Sequence, residues 1–548
     1  MIEGRRERIA AVVLTAAAAA LHVERMLRAG GLWRDEAGAA ALALQPHLRD
    51  VLRTFPHEAF PPLFPALVRG WAALAGPGDA SLRAFGLAIG LALLAALWCN
   101  AWLLGRGIPL LGVAFLGFDA TMIRYGDSLR GYGLGGALLV ASFGLLGRSL
   151  AEAPGRRSRR WLLAAGAAAL LAVNCLLQNA ALVAALAAAA ALVHLRRGRR
   201  RDAALVLGGL LAVEASLLPY AGALAAARRW SVVVTYPLRA GEVWRALAEA
   251  LGGAPLAVLW ILVLALAAVG AVGTFRRLRR AEPDGTGEAE TDDERADTAL
   301  YVLLSVLFAV AAQGVFLAVL RYSPRPWYDL PLAALLAAAL DPLATSASAE
   351  SPLPGVRTAR LALAVSLGTV LALPVWTAVG ERATNVDRIA RAIAENAVRG
   401  DFVMVNPWTC GVSFARYYAG PAPWQTLPAL TDHRFHRYDL MQERMRSERP
   451  IDDVLAAAGE ALASGHRVWV VGGVHLPRAG EVVEAIPPAP RSVWGWHDVP
   501  YSLAWSRQLG AFLAARARRA AMVEVGARGR VSPNERLPLL VFDGGPPP

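Results

Sequence analysis

Apolar runs of about 20 residues, the length that crosses roughly 30 Å of hydrocarbon, recur along the first 380 residues between short polar or basic stretches. They fall near residues 9–29, 60–76, 84–104, 129–147, 161–177, 179–195, 203–221, 254–275, 299–320, 328–344 and 360–378. That pattern predicts about eleven membrane-crossing helices. Between 105 and 128 the apolar run is interrupted by Gly107, Pro109, Gly112 and Gly117, and it reads as a segment that dips into the bilayer and returns. Arginine clusters at 156–160, 196–201 and 276–280 separate the spans. The positive-inside rule puts these and the N-terminus in the cytoplasm. The residues around Asp35, the stretches 222–253 and 321–328, and everything after about 380 are then expected outside, as is Arg130. The start Arg5-Arg6-Glu7-Arg8 followed by an apolar run shows no small-residue cleavage site, which predicts an uncleaved first helix.

Residues 281–298 are acidic and lack an apolar period, the signature of a solvated, disordered cytoplasmic loop. Beyond residue 380 the pattern changes. Asp401-Phe-Val-Met-Val-Asn-Pro407, Arg467-Val-Trp-Val-Val-Gly-Gly473 and Leu537-Pro-Leu-Leu-Val-Phe542 read as buried strands, and helical periods lie near 385–398, 452–464 and 502–521. The expected fold is a polytopic α-helical membrane domain over 1–379 and a soluble, extracytoplasmic α/β domain over 380–548. No glycine-rich phosphate loop of the right spacing follows a strand, so no nucleotide site is read.

Composition agrees: 56% of the 548 residues are hydrophobic and the mean hydropathy is +0.41, which excludes an ordinary soluble protein. The net charge of +13 comes from arginines beside apolar spans, so membrane topology accounts for it without nucleic acid. Cys99, Cys175 and Cys410 are too far apart for a disulfide framework or a metal-binding spacing.

Candidate chemistry gathers in the stretches expected outside. Asp35-Glu36 follows the first span, where carboxylates are costly unless they serve something; a solvated helix cap is the alternative. Phe55-Pro-His57-Glu58-Ala-Phe-Pro61-Pro62-Leu63-Phe64 enters the second run, and Ser81-Leu-Arg83 opens the third. Tyr125-Gly-Asp127-Ser128-Leu-Arg130-Gly-Tyr132 precedes the fourth. Arg130 and Tyr132, at i and i+2, do not share a helical face. Arg321-Tyr322-Ser-Pro-Arg325-Pro-Trp327-Tyr328 combines arginines and aromatics suited to a lipid-linked phosphate or to an interfacial belt. The loop 222–253, with Arg228, Arg229, Trp230, Arg239, Trp244 and Arg245, reads as an amphipathic cover.

In this order and spacing the motifs resemble those of the GT-C class of polytopic glycosyltransferases, in particular the protein O-mannosyltransferases and the aminoarabinose transferase of lipid A. Asp35-Glu36, Pro61-Pro62-Leu63-Phe64, Arg83 and Asp127-Ser128-Leu-Arg130-Gly-Tyr132 carry the likeness. The chain departs from the family pattern with Phe60 where a His commonly precedes Pro-Pro, and with Ser128 in place of Glu. The resemblance implies transfer of a sugar from a polyprenyl phosphate to an acceptor hydroxyl outside the cytoplasmic membrane, with inversion. Asp35 is then the general base, and Glu36 orients the acceptor or helps Asp35 hold a divalent ion, magnesium or calcium. Arg130 clamps the leaving phosphate, a snorkelling interfacial arginine being the alternative. His57, Glu58, Arg83, Asp127, Tyr132, Arg321, Tyr322 and Arg325 contact the substrates, with a solvated loop pair the alternative for His57-Glu58 and an interfacial aromatic for Tyr132. The acceptor is a glycan, lipid or protein. A catalytically silent relative acting as a binding or assembly module, or a lipid-linked sugar transporter, are the competing readings; the chain shows no internal repeat of the kind transporters carry.

Overall fold

The computed structural model describes residues 2–545 apart from 59–60, 106, 223–224, 226–237, 279–287, 321–322, 349–354, 479–480, 491–496 and 527–528. The first apolar run forms α1 (Ile2–Arg28), followed by two short helices, α2 (Arg34–Ala43) and α3 (Leu48–Glu58). Then come α4 (Leu63–Ala75), α5 (Asp79–Leu103), α6 (Leu110–Leu116), α7 (Ala120–Gly126) and α8 (Tyr132–Ala151). The bundle continues with α9 (Arg156–Cys175), α10 (Asn179–Arg196), α11 (Arg200–Ala215) and α12 (Ala240–Ala250). It closes with α13 (Ala254–Leu278), α14 (Glu288–Leu320), α15 (Leu330–Ser348) and α16 (Val356–Val379). Among the described residues, eight helices are long and apolar enough to cross a membrane, and they lie in α1, α5, α8, α10, α11, α13, α14 and α16. The chain is a multi-pass membrane protein. Small side chains let the helices approach closely: α10 turns Leu182, Leu186, Ala189, Ala190 and Val193 into the bundle, and in lipid such packing does the work that hydrophobic burial does in water.

The expected span at 60–76 is corrected. It yields only the 13-residue α4, about 20 Å long, and both of its ends meet the C-terminal domain. Glu58, just before α4, lies 3.1 Å from His436. Asp79, just after it, accepts hydrogen bonds from Arg416 and from the Tyr417 hydroxyl at 2.7 Å each.

The segment 105–128 is corrected in the opposite sense. The Leu111 and Gly112 amides at the start of α6 donate to Asp341 at 3.0 and 2.8 Å. Asp341 is 3.5 Å from Arg360 near the start of α16, and Arg360 is 3.8 Å from Glu7 near the start of α1. At the far end of α7, Arg124 donates to Glu381, just past α16, at 2.6 Å. There too Asp127 pairs with His22, late in α1, at 2.7 Å. The α6–α7 pair therefore runs the length of the bundle. Its break at 117–119 is tolerated because every residue of α6 is buried in protein, and because Asp119 caps α7 by accepting from the Thr121 and Met122 amides. The two misreadings cancel, so Arg130 still lies at the same end of the bundle as Asp35.

The acidic stretch is also revised. Residues 281–287 lie outside those described, but α14 starts at Glu288, and Asp297 is buried against Arg196 and Arg197. Two guanidiniums fix a carboxylate that composition alone assigns to solvent.

After α16 the C-terminal domain follows: α17 (Val386–Asn396), β1 (Phe402–Val405), α18 (Gly411–Tyr417), β2 (Trp424–Thr426), α19 (Tyr438–Arg446), α20 (Asp452–Ala463), β3 (Arg467–Val471), α21 (Val499–Arg516), β4 (Arg519–Val523) and β5 (Leu539–Asp543). The sheet order is β2-β1-β3-β5-β4. β2, β1 and β3 run parallel, with Val403 opposite both Trp424 and Trp469, and β5 is antiparallel to β3 and β4. β1 is buried along its whole length. Phe402 and Met404 pack with Trp505 and Leu509, while Val403 and Val405 pack with Ile389, Ile393 and Phe414. Cover on both faces is why this strand reads as an unbroken apolar run.

Candidate active site

A cavity of about 280 Å³ opens where the C-terminal domain meets the bundle, with Asp35, Glu58, Arg130, Tyr132 and Arg325 on the bundle side and His436, Tyr438, Thr409 and Asn534 on the domain side. Asp35 sits in the first turn of α2, where the helix dipole favours an anion. Trp33 before it supplies no side-chain cap. The Arg34 amide instead donates across the domain interface to Glu535 at 3.1 Å.

Asp35 is ringed by two guanidiniums and an imidazole: Arg130 at 3.5 Å, Arg34 at 3.6 Å and His436 at 4.0 Å. Burial pushes its carboxyl up, but Arg130, His436 and Arg34 together outweigh burial and hold it below the usual carboxylate value. Arg130 spans two acids, with Glu58 2.9 Å from its other amino group. Burial disfavours the Arg130 charge, and Asp35 and Glu58 more than restore it. Glu58 is pushed up by burial and held below its ordinary value by the His436 hydrogen bond and the Arg130 charge. The cluster is thus a closed network in which two carboxylates and a guanidinium on the bundle wall of the cavity meet an imidazole from the domain side.

Glu36 does not share this wall. It is 1% exposed, and its Oε1 accepts from Arg83 at 2.6 Å and from the Leu129 amide at 3.2 Å. Arg83 also donates to the Gly31 carbonyl at 2.7 Å, so Glu36 and Arg83 brace α2 against α5 behind the cavity. Asp127 is likewise engaged elsewhere, held by His22 in a space that a side chain at residue 90 would fill: a Cβ on Gly90 would lie 2.3 Å from His22 Nδ1. His57 lines the cavity and is 3.7 Å from Asp439; burial lowers its affinity for a proton. Tyr132 and Arg325 line it as well, the guanidinium of Arg325 lying 6.0 Å from the Trp327 ring centre. Arg321, Tyr322 and Phe60 lie outside the described residues. Ser128 donates to the Tyr125 carbonyl at 2.5 Å and does not line the cavity.

The expected metal pair is not formed as a donor set. Asp35 faces two guanidiniums, Glu36 is occupied by Arg83 on the other side of its helix, and among the described residues no three His, Cys, Asp or Glu side chains group as a metal site. Asp35 and Glu36 therefore do not converge on a common point.

Sequence reading missed His436, Arg34, Thr409, Tyr438 and Asn534. The available signal was the stretch Asp432-His433-Arg434-Phe435-His436-Arg437, where acids, bases and imidazoles crowd a loop of an otherwise apolar domain.

No family model and no curated protein matches the chain. Among solved structures it is similar to ArnT from Cupriavidus metallidurans in the apo state, with a TM-score of 0.50 at 16% identity over 98% of this chain and 99% of that one. ArnT from the same organism bound to undecaprenyl phosphate gives a TM-score of 0.49 at the same identity and coverage. The Archaeoglobus fulgidus oligosaccharyltransferase in its apo form gives 0.47 at 11% identity over 84% of this chain and 69% of that one. At such identity the likeness is one of architecture, and the chain has the GT-C fold of ArnT, a helical membrane bundle carrying a C-terminal sheet domain.

Proposed function

We propose that the protein is a membrane glycosyltransferase that moves a sugar from a polyprenyl-phosphate donor to an acceptor hydroxyl at the outer face of the cytoplasmic membrane, with inversion. The observation that carries this reading is the meeting of Asp35 and Arg130, 95 residues apart in the chain, on the wall of one cavity. A carboxylate to take the acceptor's proton and a guanidinium to receive the departing phosphate are the two groups that such a transfer needs.

Their contact suggests how the base is switched on. While Arg130 bridges Asp35 and Glu58, Asp35 is a weak base. A donor phosphate competes for the same fork of N–H groups. As Arg130 turns toward it, Asp35 loses the cation that lowers its proton affinity and becomes the stronger base with the substrate in place. Arg325 provides a second positive charge for the phosphate, and Trp327 and Tyr328 offer aromatic faces beside it. Glu58 and His57 are placed to hydrogen-bond sugar hydroxyls. Glu36 and Arg83 serve by holding α2, and Asp127 by tying α1 to the loop that carries Arg130.

The test is a strain lacking the gene, its envelope glycans compared with those of the parent by mass spectrometry. The intact gene is expected to restore a sugar that the deletion removes. Asp35→Asn, present in the membrane at parental level, is expected to restore none of it. Restoration by Asp35→Asn would remove the proposed base, and a deletion with unchanged glycans would remove the transferase reading.

A further inference from the structure

His436 reaches the cavity from the loop between β2 and α19 and is 6% exposed. Its ring is fixed on three sides. Trp408 stands edge-on at 6.4 Å, Tyr438 stacks at 6.1 Å, and Glu58 Oε1 is 3.1 Å from Nδ1. An imidazole that donates its Nδ1–H to a carboxylate carries a lone pair on Nε2. Nε2 is 4.0 Å from Asp35 Oδ1, too far for a direct hydrogen bond but within the span of one bridging oxygen. The charged groups facing the ring are Glu58 from α3 and Asp35 from α2, with Arg130 touching both carboxylates from the loop before α8. Tyr438 from α19 is the titratable neighbour on the domain side.

An aspartate between two arginines is a poor final holder of a proton, whereas an imidazole with a lone pair on Nε2 can accept one and hold it between two carboxylates. Resting on the function proposed above, we infer that the C-terminal domain completes the site by supplying His436 as the terminal proton acceptor of the transfer. The acceptor oxygen bonds to the anomeric carbon and loses its hydrogen. The bond from that carbon to the phosphate oxygen breaks, and its electron pair stays on the lipid phosphate facing Arg130. The proton passes through Asp35 to His436 Nε2, where the Glu58 and Asp35 carboxylates stabilise the imidazolium. It leaves to water as the product departs, and His436 returns to its neutral form.

The test uses membranes of the deletion strain carrying the intact chain or a variant, so that the native donor and acceptor are both present. The readout is the rate at which the missing glycan reappears between pH 5 and pH 8.5. The intact chain is expected to slow on the acid side as the imidazole is occupied by a proton. His436→Gln retains an amide that can bond Glu58, and it is expected to be slower by about 100-fold and to lose that acid limb. His436→Gly is expected to recover part of its rate when imidazole is added to the buffer, which a purely structural role would not give. If the intact chain makes product and His436→Gln makes it within about twofold with the same acid limb, this inference falls alone. If the intact chain restores no glycan, the transferase reading falls and takes this one with it.

Discussion

Successive residues of a helix point about 100° apart, and that angle divides the labour between two adjacent acids. Asp35 faces the cavity, while Glu36 faces α5 and pairs with Arg83, the side chains being 1% and 6% exposed. Removing one member of a buried pair leaves the other charge uncompensated, which costs about 3–5 kcal/mol. Glu36→Gln and Arg83→Met are therefore expected to lower the thermal unfolding midpoint in detergent markedly, and a double replacement with apolar residues to recover much of the loss. Asp35→Asn is expected to leave the midpoint near that of the intact chain. A Glu36→Gln protein that melts normally yet transfers no sugar would put Glu36 at the chemistry. The acids, Arg83 and Arg130 were legible because each stands in a short motif at an apolar boundary. His436 was not, because it is 378 residues from Glu58 in the chain and only the docking of a separate domain brings them together. The assignment of Glu36 to the cavity fails for a local reason: neighbours on a helix, about 100° apart, line different surfaces.

At the level of elements, apolar length is a good guide to a span only when the run is unbroken. α1, α5 and α8 were visible for that reason, as were the three strands of the C-terminal domain whose two faces are both covered. α4 misled because an apolar helix can lie along the bundle's end, where α2 and α5 bury Phe64 and Val68. The α6–α7 pair misled because Gly117 and Asp119 interrupt it, and a broken helix is stable at membrane depth only where other helices surround it. These two corrections make a labelling prediction. In a cysteine-free background, single cysteines at Gly78, between α4 and α5, and at Ser464, in the C-terminal domain, should react with an impermeant maleimide from the same side of sealed vesicles. A cysteine at Gly105, between α5 and α6, should react from the other side. Opposite accessibility of Gly78 and Ser464 would restore α4 as a crossing and undo the traverse by α6 and α7.

On the scale of the whole molecule, the site exists only while the domain is docked. Polar contacts help dock it: Arg416 and Tyr417 on Asp79, Asn534 on the Tyr125 hydroxyl at 2.9 Å, and Glu535 on the Arg34 amide at 3.1 Å, beside the apolar contacts of Val412 and Phe435 with the bundle. Glu535 is fully buried, and burial pushes its carboxyl up to about 7 despite the Ser413 bond and the Arg34 charge. An exposed glutamate titrates near 4.3, so the folded protein binds this proton more tightly than the unfolded chain does. The stabilisation it brings is complete below about pH 4 and is lost as the pH rises through 7, on the order of 3 kcal/mol in all. Glutamine imitates the neutral acid at every pH. Glu535→Gln should therefore melt with the intact protein at about pH 4 and above it at about pH 8, the gap widening between the two. Asp35 and Glu58, held below their usual values, act in the opposite direction at lower pH, which is why the difference between the two proteins, and not either curve alone, isolates Glu535. Curves that stay parallel would mean that Glu535 keeps its charge in the interface. Because Glu535 accepts from the first amide of the helix that carries Asp35, a widening gap would also mean that mild acidity tightens the hold on α2. Transfer should then fall as the pH rises through about 7, and Glu535→Gln should carry its activity to higher pH.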